Sequence, residues 1–208
     1  MSEDLTAAEL FDALADRYED AFGQIPAQLA ALDWLTARLP HGARVLDVGS
    51  GTGRPTARAL AAAGCAVTGI DVSRAMVDLA RVRVPAARFE QADVRTYEPG
   101  PDGFDAVCAF FPLLMMDQPE VASCLARLAS WVAPGGYLVV ATVPGDIRNL
   151  EIEWMGHRVT VSSLSTEDIL SVLAAGGLEV LDHHTRVFHP HGGRADPEEH
   201  LFCFARRP

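Results

Sequence analysis

The chain has no apolar run of about 18 residues or more, the length a helix needs to span a bilayer. It opens on Met1, Ser2, Glu3 and Asp4, without the basic stretch and apolar run of an export signal, so a cytoplasmic location is expected. Membrane insertion is excluded on the same ground. Cys-x-x-Cys pairs are missing too. Cys65, Cys108, Cys124 and Cys203 lie far apart, which argues against a zinc ribbon or a disulfide scaffold, and no metal site is expected. Reduced thiols follow, with Cys108 and Cys203 packed inside strands as small hydrophobes. Basic residues are scarce: 17 Lys plus Arg stand against 28 Asp plus Glu, a formal net charge of −11 at pH 7. Such a surface repels phosphate backbones and anionic lipid, and neither Arg206-Arg207 nor the pair Arg81 and Arg83 makes a basic patch. Nucleic acid and membrane are therefore excluded as partners, and a small molecule is left. Internal repeats and low-complexity linkers are likewise lacking.

What is present suits one α/β domain over residues 1–208, with 49% hydrophobic and 22% charged residues. Apolar spacing predicts helices over Thr6 to about Phe22 and over Ala27 to Leu39, inside a helical region 1–40. Strands are expected near 44–48, 66–70, 87–91, 104–110, 136–143, 178–188 and 198–205. Helices near 55–63, 73–82, 118–132 and 165–175 fall between most of them, and Ser73 and Ser165 are placed to cap the second and the last. This rhythm predicts a doubly wound, mostly parallel seven-stranded sheet. Segment 144–164 is an insertion whose alternating runs around Gly156 and His157 suggest a hairpin.

The run Val45-Leu46-Asp47-Val48-Gly49-Ser50-Gly51-Thr52-Gly53 joins a buried strand to a helix through glycines at alternate positions. Glycines there let the backbone turn sharply and approach a ligand, while the free N–H groups of the following helix point back at it. A dinucleotide loop would place its third glycine at position 54, where this chain has Arg54, so the spacing disfavours a nicotinamide oxidoreductase. Asp71, at the end of the next strand, stands where a carboxylate accepts hydrogen bonds from both hydroxyls of a ribose.

With Asp47 through Gly53 matching acidic-x-Gly-x-Gly-x-Gly without a gap, the sequence resembles the class I S-adenosylmethionine-dependent methyltransferases. The resemblance implies a Rossmann-like fold and S-adenosyl-L-methionine as cofactor, held by Asp47, Gly49, Ser50, Gly51, Gly53, Asp71 and Val72. It adds Asp93 and Val94 for the adenine, Phe110 at the end of the fourth strand, and Tyr18 from a helical lid over the cofactor's amino-acid end. Tyr18 is equally suited to the core by its helical spacing. The implied function is methyl transfer to an O, N or C nucleophile of a small organic acceptor, by a monomer or homodimer. A fold relative with a cyclisation or binding role, and a methyltransferase acting on macromolecules, are the alternatives.

Ligands of an open parallel sheet sit beyond the carboxyl ends of its strands. That rule nominates Phe111, Met115, Met116, Trp154 and Met155 as substrate contacts, each with core packing as its competing role. His157, and after it Asp117, are the candidates for taking the acceptor's proton; the alternative for His157 is a pocket wall or a solvated turn. His183, His184, His189, His191 and His200 crowd the last hairpin. They lack a clear third metal ligand and read as ordinary surface histidines, although the hairpin's position leaves one of them able to serve chemistry.

Overall fold

A computed structural model describes residues 5–14, 16–22, 25–189 and 197–208. His191 and Arg194 lie outside the described residues. Three helices lead the chain: α1 (Ala7–Leu14), α2 (Asp16–Phe22) and α3 (Pro26–Thr36). The described residues from Ala7 to Phe22 are helical, as the apolar spacing predicts. Thr6 and Glu9 open the first with a reciprocal capping box, each side chain accepting from the other's backbone N–H.

Five parallel strands follow with their helices: β1 (Arg44–Val48), α4 (Thr56–Ala62), β2 (Ala66–Asp71), α5 (Arg74–Arg83), β3 (Arg88–Gln91), β4 (Phe104–Phe110), α6 (Gln118–Ser130) and β5 (Val132–Thr142). A hairpin of β6 (Ile147–Trp154) and β7 (His157–Ser163) leads to α7 (Thr166–Ala175), β8 (Glu179–Phe188) and β9 (Glu198–Arg206). The seven-stranded sheet has the order β3-β2-β1-β4-β5-β9-β8, with β9 antiparallel to both its neighbours. This is the mostly parallel seven-stranded, Rossmann-like sheet expected of the sequence. Two boundaries differ by three residues or more: α3 ends at Thr36, short of Leu39, and β5 begins at Val132 and runs through Pro134-Gly135-Gly136. An irregular register against β4 between Phe104 and Ala106 accommodates those residues.

Alternation along each strand divides the core. Val45, Val67, Cys108 and Phe202 pack with α3, α4 and α5, whereas Leu46, Val107, Leu138 and Cys203 pack with α6 and α7. Both faces are buried, which is why the strands read as nearly continuous apolar runs. Each fully buried Leu, Ile or Val contributes roughly 1.5–3 kcal/mol by leaving water. All four cysteines are free and buried. Among the described residues no helix is long and apolar enough to cross a membrane.

The hairpin closes through a two-residue turn, Met155-Gly156, with φ of 51° and 82°. Two successive positive φ values match the right-handed twist of the flanking strands, and Gly156 takes its value without steric cost. Trp154 is thereby paired with His157 at the tip.

Candidate active site

At the carboxyl end of β1 the chain turns at Gly49, whose φ is 69°. A Cβ built there would lie 2.5 Å from Pro112 Cβ, so the glycine loop and the turn after β4 touch at this point. Gly49 N–H and Ser50 N–H both donate to Ile70 O, at 2.8 and 3.0 Å, tying the loop to β2. Gly51 is different: a Cβ there meets nothing within 4 Å, and its N–H donates to Asp71 Oδ2 at 2.8 Å. Asp71 Oδ1 accepts from Ser73 N–H at 2.9 Å. Each carboxylate oxygen therefore keeps one lone pair for a ligand. Burial raises the Asp71 pKa, with the backbone N–H groups of Ser73, Gly51 and Val72 opposing and the Asp12 charge adding to it.

Gly49, Gly51, Ile70 and Asp71 border a cavity of about 260 Å³ that also touches Val72, Asp93, Val94 and Phe110. Ser73 caps α5 as its sequence suggested, accepting from Met76 N–H at 3.1 Å. Asp93 is heavily engaged. Arg95 Nε reaches Asp93 Oδ1 and Oδ2 at 3.1 and 2.9 Å, and Nη2 reaches Oδ2 at 2.6 Å. The guanidinium holds this carboxyl below its ordinary range, and an adenine amino group would share an acceptor that already has strong donors.

A second cavity, of about 250 Å³, adjoins the first. Ala7, Phe11, Tyr18, Phe111, Pro112 and Met115 line both, so the two spaces share a wall. Leu10, Phe22, Ile152, Trp154, Val159 and Val161 complete an almost wholly apolar lining. Trp154 is the joint between hairpin and N-terminal helices, with ring centroids 5.5 Å from Phe22, 6.1 Å from Tyr18 and 6.2 Å from Phe11. Burial, then the charges of Glu198 and Asp71, raise the Tyr18 pKa, and its phenol stays protonated.

The N-terminal helices are tied down beside the loop. Asp12 Oδ1 accepts from Ser73 Oγ at 2.5 Å and from Ala75 N–H at 3.1 Å. Glu19 accepts from Thr52 Oγ1 at 3.0 Å, bonds the Arg83 guanidinium, and lies 3.8 Å from Arg54.

The structure redistributes the residues nominated from the sequence. Gly49, Gly51, Asp71, Val72, Asp93, Val94, Phe110 and Tyr18 come together around the first cavity. Asp47 and Gly53 line neither cavity; Asp47 is 2% exposed beneath the loop, and Ser50 borders a smaller cleft beside Glu19. Phe111 and Met115 line both cavities, Trp154 the second, and Met116 only the first. Met155 packs into the core without reaching either cavity. The two proton acceptors proposed from the sequence are not in position. Asp117 is the N-cap of α6, its Oδ1 accepting from Glu120 N–H at 2.8 Å in a capping box, and His157 sits at the hairpin tip outside the lining. His200, read as a surface histidine, is 1% exposed and lines the second cavity together with Glu198. The signal for it was its strand: Glu198, His200, Phe202 and Phe204 alternate, and the two phenylalanines belong to the core.

A sheet of this order, with a glycine loop after β1 and an acid ending β2, is the arrangement of the class I S-adenosylmethionine-dependent methyltransferases, which the chain resembles in fold and, over residues 45–136, in sequence. The family model described as "Methyltransferase domain" matches residues 45–136. The trans-aconitate 2-methyltransferase of Variovorax paradoxus (strain S110) is 36% identical over 137 residues, which are 62% of this chain and 48% of that protein. The chain thus spans about half the length of that curated relative. Among solved structures, the cyclase SpnF is 23% identical with a TM-score of 0.73, covering 99% of this chain and 98% of the other. The DhpI–SAH complex is 22% identical with a TM-score of 0.69, covering 95% and 93%. These likenesses concern the fold. The family's cofactor is S-adenosylmethionine, and the residues lining the first cavity fit it: an open cradle at Gly51 and, on Asp71, a lone pair on each oxygen beyond those that accept from Gly51 and Ser73.

Proposed function

We propose that this protein transfers a methyl group from S-adenosylmethionine to a small, mainly apolar organic molecule. The observation that carries the reading is the shared wall: a cavity bounded by the glycine loop and Asp71 has Ala7, Phe11, Tyr18, Phe111, Pro112 and Met115 in common with an adjoining apolar cavity. Bound cofactor supplies a methyl carbon already activated by the sulfonium. The chain's own contribution is to position the acceptor behind that carbon and to keep water out, which the aromatic roof of Phe11, Tyr18, Phe22 and Trp154 suits. In this reading Asp71 holds the ribose hydroxyls, Gly49 and Gly51 admit the backbone to the ligand, and Val94 and Phe110 flank the adenine. Residues 1–40 act as the lid and 144–164 as the substrate-side cover of one domain.

Calorimetric titration tests the first half: S-adenosylmethionine should bind and NAD should not. Asp71→Ala removes charge-assisted hydrogen bonds worth about 1.5–3 kcal/mol and should weaken cofactor binding roughly tenfold to a hundredfold. Unchanged titration curves would remove the assignment. Mass spectrometry of metabolite extracts incubated with the protein and cofactor tests the second half, by a gain of one methyl group. An unmethylated rearranged product would instead favour a cyclisation role.

A further inference from the structure

The second cavity is apolar at all but a few points. Among the described residues of its lining, Tyr18, Glu198 and His200 carry the titratable side chains, and no Arg is present. The His200 imidazole lies between two rings, with centroids 4.4 Å from Phe111 and 5.1 Å from Phe188. Its Nε2 is 3.0 Å from Glu198 Oε2, while its Nδ1 is buried with no hydrogen-bond partner among the described residues. A carboxylate only accepts, so Glu198 fixes the proton on Nε2 and leaves Nδ1 as a bare lone pair. Buried ring nitrogens are rarely left without a donor in finished structures. Across the strand pair Arg186 stands opposite His200, but it is exposed and donates to the backbone of Thr185 at 3.0 Å. Tyr18 is the remaining titratable neighbour, its phenol feeling the Glu198 charge.

We propose that the Glu198–His200 pair takes the acceptor's proton, and that the acceptor is an apolar molecule carrying a hydroxyl of phenol or enol type. The proposal rests on the methyl-transfer reading and gives it a substrate class. A carboxylate acceptor, such as the aconitate named for the relative, would arrive already ionised, with no cation to meet it and with Glu198 to repel it. A neutral hydroxyl offers the one donor that Nδ1 lacks. As the acceptor oxygen's electron pair forms the bond to the methyl carbon, the carbon–sulfur bond breaks and its pair passes to sulfur. The hydroxyl proton moves to Nδ1, and Glu198 faces the resulting imidazolium at Nε2. Glu198, whose side chain is 25% exposed, gives the proton a way back to water.

4-Nitrophenol and 4-methylphenol are the probes. At a pH just below its own pKa, 4-nitrophenol should bind the wild-type protein as its coloured phenolate, and His200→Gln should return it to the neutral form. With saturating cofactor, His200→Gln should lower methyl transfer to 4-methylphenol by about a hundredfold to ten-thousandfold. Transfer to 4-nitrophenol well above its pKa, where it is already ionised, should fall less than about tenfold. Glu198→Gln, at a side chain with solvent contact, should act in the same direction and guards against a folding defect in the buried variant. Calorimetry should give both variants wild-type cofactor affinity. Equal losses for the two phenols, failure of both to bind, or turnover of trans-aconitate alone would overturn the proposal. Failure of the cofactor itself to bind would instead sink the methyl-transfer reading, while the colour of bound 4-nitrophenol would still judge the pair.

Discussion

Gly49 and Gly51 stand one residue apart and answer to different constraints. At Gly49 an added Cβ meets Pro112 at 2.5 Å in a left-handed conformation, so Gly49→Ala forces apart the two turns that frame the cradle. The expected cost is about 2–4 kcal/mol, a fall in Tm of order 5–10 °C by thermal melting. Gly51→Ala meets open space, so its stability cost is only the backbone strain of about 1–2 kcal/mol. Its methyl would occupy the cradle and should cost at least about tenfold in cofactor affinity. A Gly51→Ala protein with wild-type titration curves would show that the ligand does not approach this backbone. Asp47 adds a pH dependence. Burial, and then the Asp71 charge, push its pKa up to about 8 from an ordinary 3.8, against a backbone N–H bond from Ala57. The folded state therefore holds a proton that the unfolded chain has released. The contribution of Asp47 to stability is full below about pH 4 and is lost progressively as pH rises to about 8. Asp47→Asn should flatten this fall and gain most in Tm near pH 8; an unaltered slope between pH 5 and 8 would clear Asp47 of the effect. The sequence made the cradle legible because glycines at alternate positions and an acid ending β2 are local patterns. It did not separate Asp117 from His200, because capping and burial are decided by neighbours: Glu120 three residues on for one, the rings of Phe111 and Phe188 for the other.

Helices α1 and α2 and the β6–β7 hairpin lie outside the main sheet, yet they supply most of the apolar roof. Besides the packing of Leu10, Leu14 and Phe22, α1 and α2 are held by polar contacts: Asp12 to Ser73 and Ala75, and Glu19 to Thr52 and Arg83. Asp12→Ala with Glu19→Ala should speed amide hydrogen exchange in α1 and α2 while leaving β1, β4 and β5 protected, and should weaken cofactor binding several-fold. Unchanged exchange in the helices would mean that packing alone, through Leu10, Leu14 and Phe22, holds them. Strands and capped helices were readable from period and cap chemistry. The hairpin's existence followed from alternation around Gly156; which of its residues face the cavity followed only from where Trp154 meets Phe22 and Phe11.

Across the whole molecule, a net charge of −11 acts on a cofactor that is cationic before transfer and neutral after it. Screening should therefore weaken S-adenosylmethionine binding more than binding of S-adenosylhomocysteine as salt is raised. Titrations of both at low and high sodium chloride check this, and parallel salt dependences would show that the field is not felt at the cradle. The wall of Phe11, Tyr18, Phe111 and Met115 common to the two cavities has a thermodynamic consequence. Any settling of those side chains on one ligand changes the surface presented to the other. Linkage makes that influence mutual: by whatever factor bound cofactor tightens the acceptor, bound acceptor tightens the cofactor. Loss of the positive charge on sulfur removes one contributor to that shared affinity at the moment of transfer, so the spent pair holds each other less firmly than the reactive pair did.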